Sequence, residues 1–176
     1  MDIDGDNPVV LTSGDGVQPQ CSPDGEWVIY QDQVAGRWEL WKVPTHGGSA
    51  VKIVDEVTGT GAISPDGQLL AYEHYDQKAG KYRFVVRPFA GGEPVKVFDL
   101  SASGDYGILH WTRDGSALTY LNGKALMVQP LSGEMPRKLL ESSDDLFWFD
   151  LSPDGKQVAY ISGRQTTDLV MIANGN

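Results

Sequence analysis

Short apolar segments with the composition of β-strands recur along the chain, separated by turns rich in glycine, proline and aspartate. Branched and aromatic residues dominate these segments, and no segment shows the helical period of about 3.6 residues. The chain is therefore predicted to be all-β. The predicted strands form three sets: 26–30, 68–72, 116–120 and 156–160; 38–43, 82–89, 125–130 and 168–172; 50–54, 94–98 and 136–140.

A tetrapeptide precedes every strand of the first set, at 22–25, 64–67, 112–115 and 152–155. Three copies are Ser-Pro-Asp-Gly and the third is Thr-Arg-Asp-Gly. Proline presets one corner of a tight turn, aspartate bonds to nearby backbone and glycine takes the left-handed position, so each copy predicts a turn between antiparallel strands. A tyrosine follows each motif aspartate by six residues, at Tyr30, Tyr72, Tyr120 and Tyr160.

Four strands in each unit of about 40 residues are the plan of a β-propeller blade. A β-sandwich is the alternative, but it has no reason to repeat one turn in register. We predict a single β-propeller domain over 1–176, of four four-stranded blades, with repeats at about 13–54, 55–100, 101–141 and 142–176. Residues 7–12 are predicted to be a fourth strand that pairs with the last blade and closes the ring. Two chains could instead form one eight-bladed ring.

Composition excludes some partners. The net charge of −10 disfavours nucleic acid and anionic membrane surfaces, and no apolar run approaches the roughly 20 residues that span a bilayer. The acidic start of the chain does not resemble a signal peptide. Cys21 is the single cysteine, so no internal disulfide is expected.

Catalytic and metal motifs are not predicted. His46, His74 and His110 lie in different repeats without metal-ligand spacing, and the chain has no Gly-x-Ser-x-Gly motif. The aspartates at 2, 4 and 6 resemble a calcium loop but lack its glycine and its glutamate, so a β-turn is the preferred interpretation. No cofactor and no metal are therefore expected. A spatially assembled triad stays an open alternative.

Acidic and aromatic residues collect in loops predicted to share one propeller face, formed by the links between blades and the hairpins between second and third strands. Such residues could hold a cationic peptide, a sugar or a cation, although solvated loop residues are the simpler interpretation. Arg164, Lys78 and Lys81 should partly neutralise this face. The candidate ligand-binding residues are Asp105, Tyr106, Asp144, Asp145, Phe147 and Trp148.

The Ser-Pro-Asp-Gly turn with its tyrosine strand resembles the TolB-type, WD-like propeller repeat. The stretch 149–170 is also similar to the carboxyl-terminal propellers of bacterial receptor-type serine/threonine kinases and winged-helix regulators. The resemblance implies a non-enzymatic binding or scaffold module of a larger bacterial protein, suspected to be periplasmic. A protein or small ligand at the loop face and a homodimer are its expected partners. A lyase or glycosidase using the acidic face, and a purely structural propeller fragment or designed array, are the alternatives.

Overall fold

The computed structural model describes residues 8–55, 59–100 and 108–164. These residues form antiparallel strands and no helix, as the sequence predicts. The described part of the chain thus has no helix with the length and hydrophobicity of a membrane span.

Three four-stranded sheets follow one another in chain order, each with its strands hydrogen-bonded in sequence order. The first sheet contains β1 (Val17–Cys21), β2 (Trp27–Val34), β3 (Arg37–Pro44) and β4 (Val51–Val54). The second contains β5 (Gly61–Ile63), β6 (Leu69–Asp76), β7 (Lys81–Pro88) and β8 (Lys96–Asp99). The third contains β9 (Leu109–Trp111), β10 (Ala117–Asn122), β11 (Ala125–Pro130) and β12 (Arg137–Glu141). A fourth sheet pairs β13 (Asp145–Leu151) with β14 (Val158–Gly163).

Each tetrapeptide forms the predicted turn between the first and second strands of its sheet. In the second sheet, Gly67 donates its amide to the Ser64 carbonyl at 2.8 Å and adopts φ of 73°. The Asp66 carboxylate accepts hydrogen bonds from the Ser64 hydroxyl at 2.5 Å and from the Gln68 amide at 3.0 Å. The third copy makes the same turn with Thr112 in place of serine. The aspartate and glycine therefore suffice to form the corner without proline.

Apolar side chains pack between consecutive sheets. Ile29 and Leu40 of the first sheet contact the Tyr72 face of the second, and Phe84 of the second packs on Tyr120 of the third. Leu126 of the third sheet packs on Phe149 of the fourth. The second and third sheets thus each turn one face to the sheet before them and the other to the sheet after them. Burial of each such side chain contributes about 1.5–3 kcal/mol, which a lone sheet could not gain.

Side-chain hydrogen bonds to the backbone of the neighbouring sheet add to this packing. Trp111 donates its indole N–H to the Ala62 carbonyl at 2.9 Å, and Gln20 accepts the Ile63 amide at 2.9 Å. These bonds satisfy polar groups of the short inner strands, where hydration is lost.

The predicted ring closure stays a prediction. Residues 8–12 belong to no sheet, and their expected partner strand at 168–172 lies outside the described residues. Val9, Leu11 and Thr12 instead line a cavity of about 270 Å³ on the Tyr30 face of the first sheet. At the next junction the fourth strand of the first sheet has the equivalent position, because Val54 of β4 packs on the Tyr72 face of the second sheet. The amino-terminal segment therefore occupies the place that a preceding sheet's fourth strand would take.

Candidate functional site

The candidate site lies where the third sheet passes to the fourth. A link of three residues joins β12 to β13, and β14 runs back beside β13 to end opposite Asp145. The Lys124 ammonium donates to the Ser143 carbonyl at 2.8 Å, and the Leu146 amide donates to the Gly123 carbonyl at 3.1 Å. These bonds tie the link to the hairpin between β10 and β11, so the site has a supported backbone.

Four predicted site residues come together here. Asp144 lies in the link, as predicted, whereas Asp145, Phe147 and Trp148, which were predicted to lie in a loop, lie on β13. The pairing register shifts between Leu146 and Trp148, so both aromatic side chains next to this irregularity reach solvent. Phe147 is 50% exposed and Trp148 is 46% exposed. The two remaining predicted residues, Asp105 and Tyr106, lie outside the described residues.

Ile161 completes an apolar patch that the sequence analysis did not identify. It pairs with Trp148 across the two strands and is 59% exposed. The position after the motif tyrosine is occupied by Leu121 in the third sheet and by Ile161 in the fourth. Leu121 is buried against the fourth sheet, together with Ile108, the counterpart of Trp148. The repeat register could therefore have identified Ile161. We call Phe147, Trp148 and Ile161 the apolar patch.

An ion pair borders the apolar patch. The Arg164 guanidinium donates to the Asp144 carboxylate at 2.5 Å, and the Asp144 amide donates to the Ser142 hydroxyl at 3.2 Å. Arg164 was predicted to neutralise this face, and the pair has that effect. Because the Arg164 side chain is largely exposed, screening by water keeps the stabilisation small.

Two carboxylates at strand ends of the second sheet, Asp76 of β6 and Asp99 of β8, are also bonded. Hydrogen bonds from the backbone amide of Ala79 and, to a smaller extent, of Lys78 lower the pKa of Asp76, which also forms an ion pair with Arg83. Hydrogen bonds from Lys81 and then Arg83 lower the pKa of Asp99. These carboxylates therefore stay charged at neutral pH. Within the described ranges, no cluster of three or more histidine, cysteine or acidic side chains could hold a metal ion.

His110 lies between the third and fourth sheets rather than at the apolar patch. Its ring packs edge-on against Phe149 with centroids 4.9 Å apart, as expected for a packed histidine. Burial lowers its pKa, although the Asp150 charge opposes the shift, and its Nε2 is buried without a hydrogen-bond partner. His110 is therefore predominantly neutral near pH 7.

Two curated relatives match the chain. An uncharacterized protein of Agrobacterium fabrum is 29% identical over 132 residues, covering 69% of this chain and 45% of that protein. A TolB homolog of Chlorobium chlorochromatii is 23% identical over 142 residues, covering 80% of this chain and 32% of that protein. The chain thus spans less than half the length of either relative. No family model matches it.

Solved structures define the fold. TolB from Acinetobacter baumannii superposes with a TM-score of 0.71 over 90% of this chain and 41% of that structure, at 19% identity. A gluconolactonase from Xanthomonas campestris superposes with a TM-score of 0.67 over 93% of this chain and 61% of that structure, at 14% identity. With its consecutive antiparallel sheets, the chain has the fold of a β-propeller protein. Within that class its fold is similar to that of TolB, which agrees with the resemblance carried by its turn motifs.

Proposed function

We propose that this chain is a non-enzymatic binding and scaffold module that recognises a protein through the apolar patch. The carrying observation is the exposure of Trp148 and Ile161 at positions whose counterparts in the third sheet are buried between sheets. Exposed aromatic and aliphatic side chains at adjacent positions are typical of protein-binding surfaces, because covering them removes apolar area from water. The Asp144–Arg164 pair would form part of the polar rim.

Two strand-end carboxylates, Asp76 and Asp99, are unsuited to general acid catalysis near neutral pH. A general acid that works near neutral pH needs a raised pKa, whereas those of Asp76 and Asp99 are lowered by their hydrogen bonds. We infer from the TolB resemblance that the module works outside the cytoplasm as part of a larger bacterial assembly. A hydrolytic role is the competing function, because a gluconolactonase shares the fold.

A second copy of the chain is the first partner to test. The apolar patch belongs to the face that the fourth sheet would turn to a following sheet. The corresponding receiving face of the first sheet holds Glu39 and Trp41, whose Oε2 and indole Nε1 are buried without hydrogen-bond partners. Where two described sheets pack together, equivalent side-chain groups form hydrogen bonds with the backbone of the neighbouring sheet, as Trp111 and Gln20 do. Two copies could each supply that neighbour, as in the predicted eight-bladed ring.

A photo-reactive phenylalanine analogue at position 148 tests the proposal. The variant is illuminated in an extract of the source organism, and adducts are identified by mass spectrometry. The matched control carries the analogue at Trp38, which is 38% exposed on the first sheet. We expect protein adducts at position 148 and few at position 38. Adducts containing a peptide of this chain identify a second copy, and equal labelling at both positions contradicts the proposal.

Light scattering and enzyme assays separate the alternatives. If copies associate through the apolar patch, Trp148→Glu should reduce a dimer to a monomer while Trp38→Glu leaves it dimeric. Hydrolysis of lactones or glycosides by the purified chain that is lost in Asp144→Asn would instead support the enzyme. A chain that forms no adduct and turns over no substrate would be purely structural.

A further inference from the structure

Two adjoining cavities lie at the end of the sheets where the tetrapeptide turns are found. One of about 470 Å³ lies between the third and fourth turns and is lined by Arg113, Asp114, Arg137 and Asp154. The other, of about 320 Å³, lies between the second and third turns and is also lined by Arg113 and Asp114. Because its arginines are exposed, the larger cavity is an open groove. We call it the arginine groove.

Arg113 occupies the turn position where the other three motifs have proline. The turns are neighbours in space: a Cβ on Gly115 would lie 3.8 Å from Pro65, and one on Gly155 would lie 3.7 Å from the Arg113 Cβ. Proline at this corner restricts the unfolded chain and favours folding. Arginine does not restrict the unfolded chain in this way, and it places a guanidinium group between the neighbouring tetrapeptide turns. Packing of the turn does not require this charge.

The arginine groove has free cationic donors but largely occupied carboxylates. The Asp114 carboxylate accepts hydrogen bonds from Thr112 at 2.7 Å and from Ser116, and Asp154 accepts them from Ser152 at 2.6 Å and the Lys156 amide at 3.0 Å. Of the six arginines, all within the described ranges, only Arg113 and Arg137 make no hydrogen bond or ion pair there. Arg83, Arg87 and Arg164 make hydrogen bonds, and Arg37 also has an interaction partner.

We propose that the arginine groove binds a carboxylate-bearing segment of a partner protein. Guanidinium groups bind carboxylates through paired charge-assisted hydrogen bonds, and Arg113 and Arg137 can present two such forks to one groove. The open shape suits an extended segment rather than an enclosed small molecule. The net charge of −10 opposes nucleic acid, whose phosphates extend far beyond the groove, whereas a short acidic segment places its carboxylates on the two arginines. This site is separate from the apolar patch and does not depend on it.

Fluorescence polarisation at physiological ionic strength tests the proposal with dye-labelled, amidated hexaglutamate. We expect hexaglutamate to bind and labelled hexaglutamine not to bind. Arg113→Pro, which restores the motif of the other turns, and Arg137→Gln should each weaken binding about tenfold or more. Lys78→Gln removes the same charge on the loop face and should change binding less than twofold. Circular dichroism checks that each variant is folded.

Three outcomes overturn the inference. Absence of hexaglutamate binding excludes the site, and equal weakening by Lys78→Gln shows that only net charge matters. Displacement of hexaglutamate by inorganic phosphate at equal molar concentration shows a general anion site rather than one for an acidic protein segment. Trp148→Glu should leave hexaglutamate binding unchanged, so this test and that of the apolar patch can fail independently.

Discussion

The buried turn serine allows the sharpest test of what holds the sheets together. Ser64 is 2% exposed, and its hydroxyl donates to Asp66 at 2.5 Å while accepting the Leu69 amide at 2.8 Å. Ser152 makes the equivalent bonds to Asp154 and the Gln157 amide at 2.6 and 2.9 Å, but in an exposed turn. Alanine at either position removes the same two bonds and leaves the backbone turn intact.

The two substitutions should reduce the free energy of unfolding by different amounts, because water reaches the two turns to different extents. In Ser64→Ala the Leu69 amide loses its partner at a position where the serine is 2% exposed, which costs about 1–3 kcal/mol. In Ser152→Ala water can replace the hydroxyl, so the loss should stay below about 1 kcal/mol. For a chain of this size, about 2 kcal/mol corresponds to a fall in Tm of roughly 4–8 °C. Ser22→Ala should resemble Ser64→Ala, since Ser22 is 4% exposed.

Urea denaturation followed by circular dichroism measures the three losses, with thermal melting as a second readout. The reasoning predicts that Ser64→Ala and Ser22→Ala lose similar stability and that Ser152→Ala loses clearly less. Equal losses for Ser64→Ala and Ser152→Ala would refute burial as the deciding factor. An unchanged Tm in Ser64→Ala would show that the hydroxyl contributes nothing to the folded state.

Three further predictions follow from buried or charged groups. Because burial lowers the pKa of His110, the free energy of unfolding should fall as the pH drops from about 6.5 through the folded pKa. The urea midpoint of His110→Phe should not change with pH over this range. The hydrogen bond from Ser64 lowers the pKa of Asp66, so the Asp66 carboxylate should stabilise the fold above the unfolded pKa of 3.8 and lose that effect as the pH falls through its folded pKa. If acid unfolding of Asp66→Asn follows the same pH curve as the wild type, this prediction is wrong. In Gly61→Ala the new Cβ would lie 2.9 Å from Leu40 Cδ2, and Leu40 is 1% exposed. We therefore expect urea denaturation to show a free energy of unfolding lower by about 1–3 kcal/mol. An unchanged free energy would mean that Leu40 repacks freely.

Local chemistry determined most of the fold from the sequence alone. The aspartate and glycine of each tetrapeptide specify a turn through hydrogen bonds within a few residues, so the turns and the strands beside them could be predicted. The sequence also showed that Tyr72 and Tyr120 share one repeat position, and both are buried between sheets. The acidic and aromatic residues at 144–148 were grouped because the repeat predicted a loop on one propeller face there, although the structure places most of them on β13.

Tertiary structure decided which of these residues are available to a partner. Ile161 and Leu121 occupy the same repeat position, yet only the contact of the third sheet with the fourth makes one exposed and the other buried. Arg113 and Arg137 are far apart in sequence and line one groove because strand pairing in the third sheet brings the turn between β9 and β10 and the start of β12 to the same end. Exposure depends on how sheets stack and convergence on how strands pair, and both join residues whose separation in sequence carries no local signal.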